Sequence, residues 1–233
     1  MKVDRGLIIR RLQVPLSMEY AQGCADSCKE HGLKYEFIDA VEFLDCKNAF
    51  NSVGIKMHRH YKNTDGNCCV HSSMIKCWKR IIELGKPCII LEHDAIILGD
   101  VKTLDIPDMS VVSFGNHVME IEHYKPIGPA QKLTEIKRGK GCHAYSITPA
   151  TAQFLIDEIE EHGVTLGVDK RLMMKPTMPL YLCDPPQAVA WNRKSTNGLT
   201  SVDDIPRAPR IKNPKEMEIE SWLAGLQTNH NAV

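Results

Sequence analysis

The stretch Cys88-Ile89-Ile90-Leu91-Glu92-His93-Asp94 decides the fold. Four apolar residues run without a break into three polar ones. A short apolar run bounded by Gly85 and Pro87 on one side and by charge on the other suits a strand buried on both faces. In open α/β sheets, ligands bind at the C-terminal ends of such strands. Strand side chains alternate, which predicts Glu92 and Asp94 on one face and His93 on the other. Two carboxylates so placed can offer oxygens to a hard divalent ion, which would in turn hold a diphosphate. The plain alternative is a strand end carrying solvated charges. His93 is open to three readings: a packed histidine, a hydrogen-bonding partner behind the carboxylates, or a ligand if the strand has already ended.

Working outward toward the N-terminus, Met74, Ile75, Trp78, Ile81 and Ile82 recur at helical spacing and stop at Gly85. The polar residues 58–67 before them read as loop. Leu7-Ile8-Ile9 reads as a buried first strand. Pro15 and Ser17 then open a helix whose buried stripe is Leu16, Tyr20, Ala21, Cys24 and Cys28, with Gly32 as its stop. Residues 35–40 read as a second strand. This β-α-β opening predicts a parallel pair joined by a right-handed crossover.

Toward the C-terminus, residues 110–114 and 141–147 read as short strands. The polar stretch 115–140 between them has the length of a binding loop or lid. Thr148-Pro149 is a helix start, Ala152, Leu155, Ile156 and Ile159 supply the buried face, and Gly163 ends the helix. Residues 178–183 read as the last strand. After Pro185-Pro186 the chain turns polar. The expected organisation is therefore one α/β domain over residues 1–190 and a tail over 191–233, with a short amphipathic helix near 216–226.

Composition narrows the function. Lysine plus arginine equals aspartate plus glutamate, 29 each, so no global field favours nucleic acid or an anionic membrane. The apolar run at residues 7–9 is too short for a signal peptide, and nothing approaches the roughly 20 apolar residues of a membrane span. The 9 cysteines are odd in number and sit mostly in apolar segments, which reads as reduced thiols in a cytoplasmic protein. Neither Cys24/Cys28 nor Cys68/Cys69 has zinc spacing.

Four ordered segments resemble glycosyltransferase family 25, the group of lipopolysaccharide and collagen galactosyltransferases. Residues 6–11 with 35–40 are similar to its first β-α-β unit, and residues 69–78 with 81–85 to its cysteine/serine/tryptophan helix. Ile89-Ile90-Leu91-Glu92-His93-Asp94-Ala95 resembles its Leu-Glu-Asp-Asp segment. Gly141-Cys142-His143-Ala144-Tyr145-Ser146-Ile147 with Ala152, and then Val168-Asp169, resembles its Gly-x-x-Ala-Tyr strand, helix and Val-Asp pair. The likeness spans about residues 6–190. It departs at His93, which stands where the family has its middle acid, and at the family's Ser-His pair, near which this chain has His71-Ser72-Ser73.

The resemblance implies a GT-A-like fold with a mostly parallel central sheet, a nucleoside-diphosphate sugar donor (a UDP-sugar foremost), and a divalent ion, manganese or magnesium. It maps the outer acids of the motif onto Glu92 and Asp94, as metal ligands, with Glu92 also at the donor. The acceptor would be a hydroxyl of a glycan, a lipid-linked sugar or a protein. An inverting transfer, which the resemblance also implies, needs a group to take the acceptor proton. Asp169 is the candidate, and a helix-capping aspartate is the alternative. Arg10 at the end of the first strand and Asp39-Ala40 at the end of the second are candidates for base and ribose. Lys76 and Lys79 could approach phosphate or simply solvate a helix face. His58-Arg59-His60, His117, His123 and Trp191 are lesser candidates. Two other functions share the same acidic strand end: a non-catalytic binding member of the family, and a metal-dependent phosphohydrolase, which would need further ligands.

Overall fold

The computed structural model describes residues 1–56, 63–115, 132–139 and 141–190. Strand β1 (Arg5–Arg10), helix α1 (Pro15–Glu30) and strand β2 (Lys34–Asp39) form the expected parallel β-α-β unit. Helix α2 (Cys46–Ser52) and helix α3 (Asp65–Leu84) follow, then β3 (Cys88–Leu91), β4 (Ala95–Ile97) and β5 (Val111–Ser113). Strands β6 (Lys132–Ile136) and β7 (Ala144–Ile147) precede α4 (Pro149–His162). A π-helical turn (Lys170–Met174), β8 (Leu180–Asp184) and β9 (Ala188–Ala190) complete the described chain.

Seven strands form one sheet in the order β2-β1-β3-β7-β5-β8-β6. Five point the same way, while β7 and β6 run against their neighbours. The architecture is mixed α/β with a mostly parallel central sheet. Both faces are covered, which explains the unbroken apolar run of β3. Cys88 and Ile90 join the core beneath α3 and α4, and Ile89 and Leu91 join the core beneath α1. The core beneath α3 and α4 also carries a buried polar link between helix and sheet. The buried Trp78 indole on α3 donates to the Tyr145 hydroxyl on β7 at 3.0 Å, and that hydroxyl donates to Met74 Sδ at 3.4 Å.

The helix signals act as read. Thr148 Oγ1 accepts from the Thr151 N–H at the head of α4. Gly85 closes α3 at φ 65°, the left-handed conformation that a glycine adopts without steric cost.

Several expectations are corrected. Helix α3 begins nine residues before Met74, because its first turn is polar: Thr64 caps it through the Asn67 N–H, and apolar spacing cannot register such a turn. Part of the predicted 115–140 loop is strand β6, an exposed edge strand paired with β8. Residues 178–183 are not the last strand, since β9 follows Pro185-Pro186 and pairs with β4 in a second, two-stranded sheet. The thiols are not all reduced: Cys46 and Cys68 form a disulfide between α2 and α3. That bond removes the thiol argument for a reducing compartment. Among the described residues no helix is long and apolar enough to cross a membrane. His58, Arg59, His60, His117, His123, Trp191 and the 191–233 tail lie outside the described residues.

Candidate active site

The sheet's connections leave β1 in opposite directions, toward β2 on one side and β3 on the other. Such a reversal opens a crevice at the C-terminal strand ends. A cavity of about 670 Å³ lies there. Its walls come from the ends of β1 (Ile9, Arg11), the segment after β2 (residues 40–45), the residues after β3 (Glu92, His93, Asp94), and the first turns of α3. Among the described residues five carboxylates line it (Glu42, Asp45, Asp65, Glu92 and Asp94), against one guanidinium, Arg11.

Glu92 and Asp94 share this cavity for a reason other than strand alternation. Strand β3 ends at Leu91, and the next residues form a tight turn closed by the Ala95 N–H donating to the Glu92 carbonyl at 3.0 Å. The Glu92 N–H donates to the His143 carbonyl at 2.9 Å, which carries the β3–β7 ladder one residue further. Glu92 is thereby fixed through its own backbone. Its side chain keeps part of its surface open to the cavity. Desolvation, then the charge of Asp94, then that of Asp169, push its carboxyl up to about 8.

His93 does not turn its back on the site. It lines the cavity and lies parallel to the buried Tyr20 ring of α1, with centroids 6.0 Å apart. Burial lowers its proton affinity, against the opposing charge of Asp94. Burial also raises the Tyr20 phenol to about 12, with smaller effects from Glu19 and Asp94.

Asp169 stands apart from the cavity lining, yet its charge is felt by Glu92, Cys142 and His71. It stands at the N-terminal cap position of the π-helical turn, where its side chain makes no capping bond. Its approach to α3 is set partly by Asn63, whose amide donates to the Leu166 carbonyl at 3.2 Å. His71 on α3 is fully buried. Its Nδ1 meets the Asn67 carbonyl at 2.9 Å, and burial lowers it to about 4, so it is neutral. His71 and the neighbouring Ser72 were flagged by the sequence only as departures from a motif.

The donor candidates divide. Ala40 and Glu92 line the cavity. Arg10 and Asp39 do not: Arg10 Nε donates to Asp39 Oδ1 at 2.8 Å, and the guanidinium lies 4.4 Å from the Phe37 ring centroid. The residue that sequence reasoning missed is Arg11, one position on, which enters the cavity and donates to Glu42 Oε2 at 2.8 Å. Lys76 and Lys79 point elsewhere, to the carbonyls of Asp39 and Val53. Among the described residues no cluster of three or more His, Cys, Asp or Glu is arranged to hold a metal ion. Glu92 and Asp94 still suit magnesium or manganese, which commonly take one or two carboxylates and complete their shell with phosphate and water. A cation there would also offset the charge of Asp94, which adds to burial in raising the Glu92 carboxyl.

Solved structures of related shape include the glycosyltransferase GlyE of Streptococcus pneumoniae TIGR4, at TM-score 0.44 and 11% identity, over 86% of this chain and 59% of that one. A glycosyltransferase involved in glycosylation of the major capsid of PBCV-1 gives TM-score 0.42 and 10% identity, over 82% and 94%. The inositol-1-phosphate CTP transferase from T. maritima gives TM-score 0.43 and 8% identity, over 97% of each chain. This chain therefore spans less than two thirds of GlyE. No curated protein matches it in sequence. The sequence pattern of glycosyltransferase family 25 (LPS biosynthesis protein) matches residues 18–172, a run that holds most of α1, all of α3, the acidic turn and Asp169. By that match the chain belongs to glycosyltransferase family 25.

Proposed function

We propose that the chain transfers a sugar from a nucleoside-diphosphate donor, UDP-sugar foremost, to a hydroxyl of a glycan, lipid-linked sugar or protein. The observation that carries this reading is the acidic cavity at the strand ends, with Glu92 and Asp94 on a backbone-fixed turn. Its volume falls within the range of small-ligand and cofactor sites. Five carboxylates would repel a bare diphosphate, so the reading includes manganese or magnesium held by Glu92 and Asp94. When bound, that ion would neutralise the charge that develops on the departing diphosphate.

The chain's own residues would do the rest. Glu92 must give up its proton to serve, and the tight turn holds it in place as it does. The first turn of α3 lines one wall, where a helix N-terminus favours an anion. In a single displacement the acceptor oxygen attacks the anomeric carbon, the diphosphate departs with the bonding pair, and the acceptor proton goes to the Asp169 carboxylate. Inversion follows from that one displacement.

A thermal-shift series with nucleoside diphosphates and their sugars, with and without manganese, tests the binding part. A ligand of the folded state raises Tm by mass action. UDP with manganese should raise Tm, and Asp94→Ala should abolish the rise. No shift with any nucleoside diphosphate would sink the reading. Turnover is tested by release of UDP from UDP-sugars. There Asp169→Asn should cost about 10²–10⁴-fold in kcat, the usual share of a general base. Binding without turnover in the unaltered chain would instead favour a non-catalytic family member.

A further inference from the structure

Phe43 is anomalous in two ways. Among the described residues it is one of few large apolar side chains left open, at 39% exposure. Its φ is 55°, a left-handed conformation that a bulky residue holds only where its surroundings impose it. Core packing does not account for it, since its neighbour Leu44 packs against the core and Phe43 does not. The ring instead lines the strand-end cavity that also contains Glu92 and Asp94.

The ring is braced. The Arg11 guanidinium carbon lies 5.4 Å from its centroid. Arg11 is in turn fixed by Glu42 at 2.8 Å, and the two side chains are only 16% and 7% exposed. Three residues beyond Phe43, the Cys46–Cys68 disulfide and the Cys46 N–H donating to Asp65 Oδ1 at 3.0 Å anchor the segment to α3. A strained, open aromatic held by a cation and a pinned backbone is costly to keep. Such local strain concentrates where a ligand is clamped. The neighbouring lining of Ile9, Val41, Leu44, Val70 and Met74 is apolar, and the carboxylates of the acidic turn belong to the same cavity. One ligand chemistry matches a flat π surface, an apolar wall and a metal-binding acid pair in a single cavity. It is an aromatic base joined to a diphosphate.

We infer that Phe43 is the stacking platform for the nucleobase of the donor, with the Arg11–Glu42 pair as its brace. The inference rests on the proposed nucleoside-diphosphate site and adds to it the residue that recognises the base. Stacking on an aromatic face is indifferent to base identity. Phe43 therefore sets the preference for a nucleotide over bare diphosphate, and leaves the choice among bases to the polar groups around it.

Isothermal titration of the full chain separates the two ideas, with manganese present throughout and either UDP or inorganic pyrophosphate as the titrant. Phe43→Ala should weaken UDP about tenfold or more, the usual loss for a base–aromatic stack. Pyrophosphate affinity should be unchanged. Phe43→Tyr should keep the UDP affinity. Phe43→Gly should lose as much UDP affinity as Phe43→Ala while melting no lower than the unaltered chain, because glycine accepts φ 55° freely. That combination excludes simple unfolding. Undiminished UDP binding by Phe43→Ala, or equal losses for UDP and pyrophosphate, would overturn the platform alone. Failure of the unaltered chain to bind UDP with manganese would overturn the nucleotide site and the platform together.

Discussion

Glu92 is a carboxyl that the fold keeps protonated to about pH 8, through burial first and the charges of Asp94 and Asp169 next. A carboxyl whose folded pKa is raised stabilises the fold below its unfolded pKa and loses that contribution as pH rises through the folded value. Without ligands, the Glu92 contribution should therefore fall between about pH 4.5 and 8; His71 opposes it below pH 6.5, so Tm should fall mainly between about pH 6.5 and 8, and Glu92→Gln should flatten that slope in melts across the range. His71 acts in the opposite sense. Its folded pKa is depressed to about 4, so its contribution is full above pH 6.5 and declines as pH falls toward 4. On the proposed reading a metal ion would displace the Glu92 proton, and manganese affinity should then rise with pH up to about 8. Titrations in buffers of different ionisation enthalpy would show proton release, and its absence would mean that Glu92 is not a ligand. The acid pair was legible as residues and not as geometry. Glu92 and Asp94 meet in a turn, where alternation no longer applies. The same uncertainty decided between Arg10 and Arg11, since one residue of register at a strand end reverses which side chain enters the crevice.

At the scale of elements, the hydrogen bond from Trp78 to Tyr145 joins α3 to β7, the strand that pairs with β3. Tyr145→Phe leaves the buried indole N–H without its acceptor and should destabilise the chain by about 1–3 kcal/mol in denaturant melts. A value near zero would show that another acceptor moves in. Strongly periodic elements such as α1, α4 and β3 could be read from the sequence because burial wrote their pattern. Strand β6 could not, since Lys132-Leu133-Thr134-Glu135-Ile136 sits at an exposed edge and owes its form to the β8 ladder. The three-residue β9 owes its form in the same way to β4. Helix α2 was missed because its seven residues are too few to show a period, although Asp45 is a regular cap.

For the whole molecule, the order of segments fixed the sheet's parallel half, but its antiparallel strands and the second small sheet depend on long-range pairing that no local pattern records. The Cys46–Cys68 bond belongs to this scale too. It closes a loop over a sequence separation of 22, worth about 3 kcal/mol in chain-entropy terms. Cys46→Ser should lower stability by that order, and a reductant should reproduce the loss in the unaltered chain but not in the variant. If reductant leaves Tm unchanged, the two thiols are not joined in solution. The bond has a consequence for the crevice itself. It joins Cys46, which follows the lining residue Asp45, to Cys68, which precedes the lining residues Cys69 and Val70, so the wall after β2 and the wall made by α3 are covalently one piece.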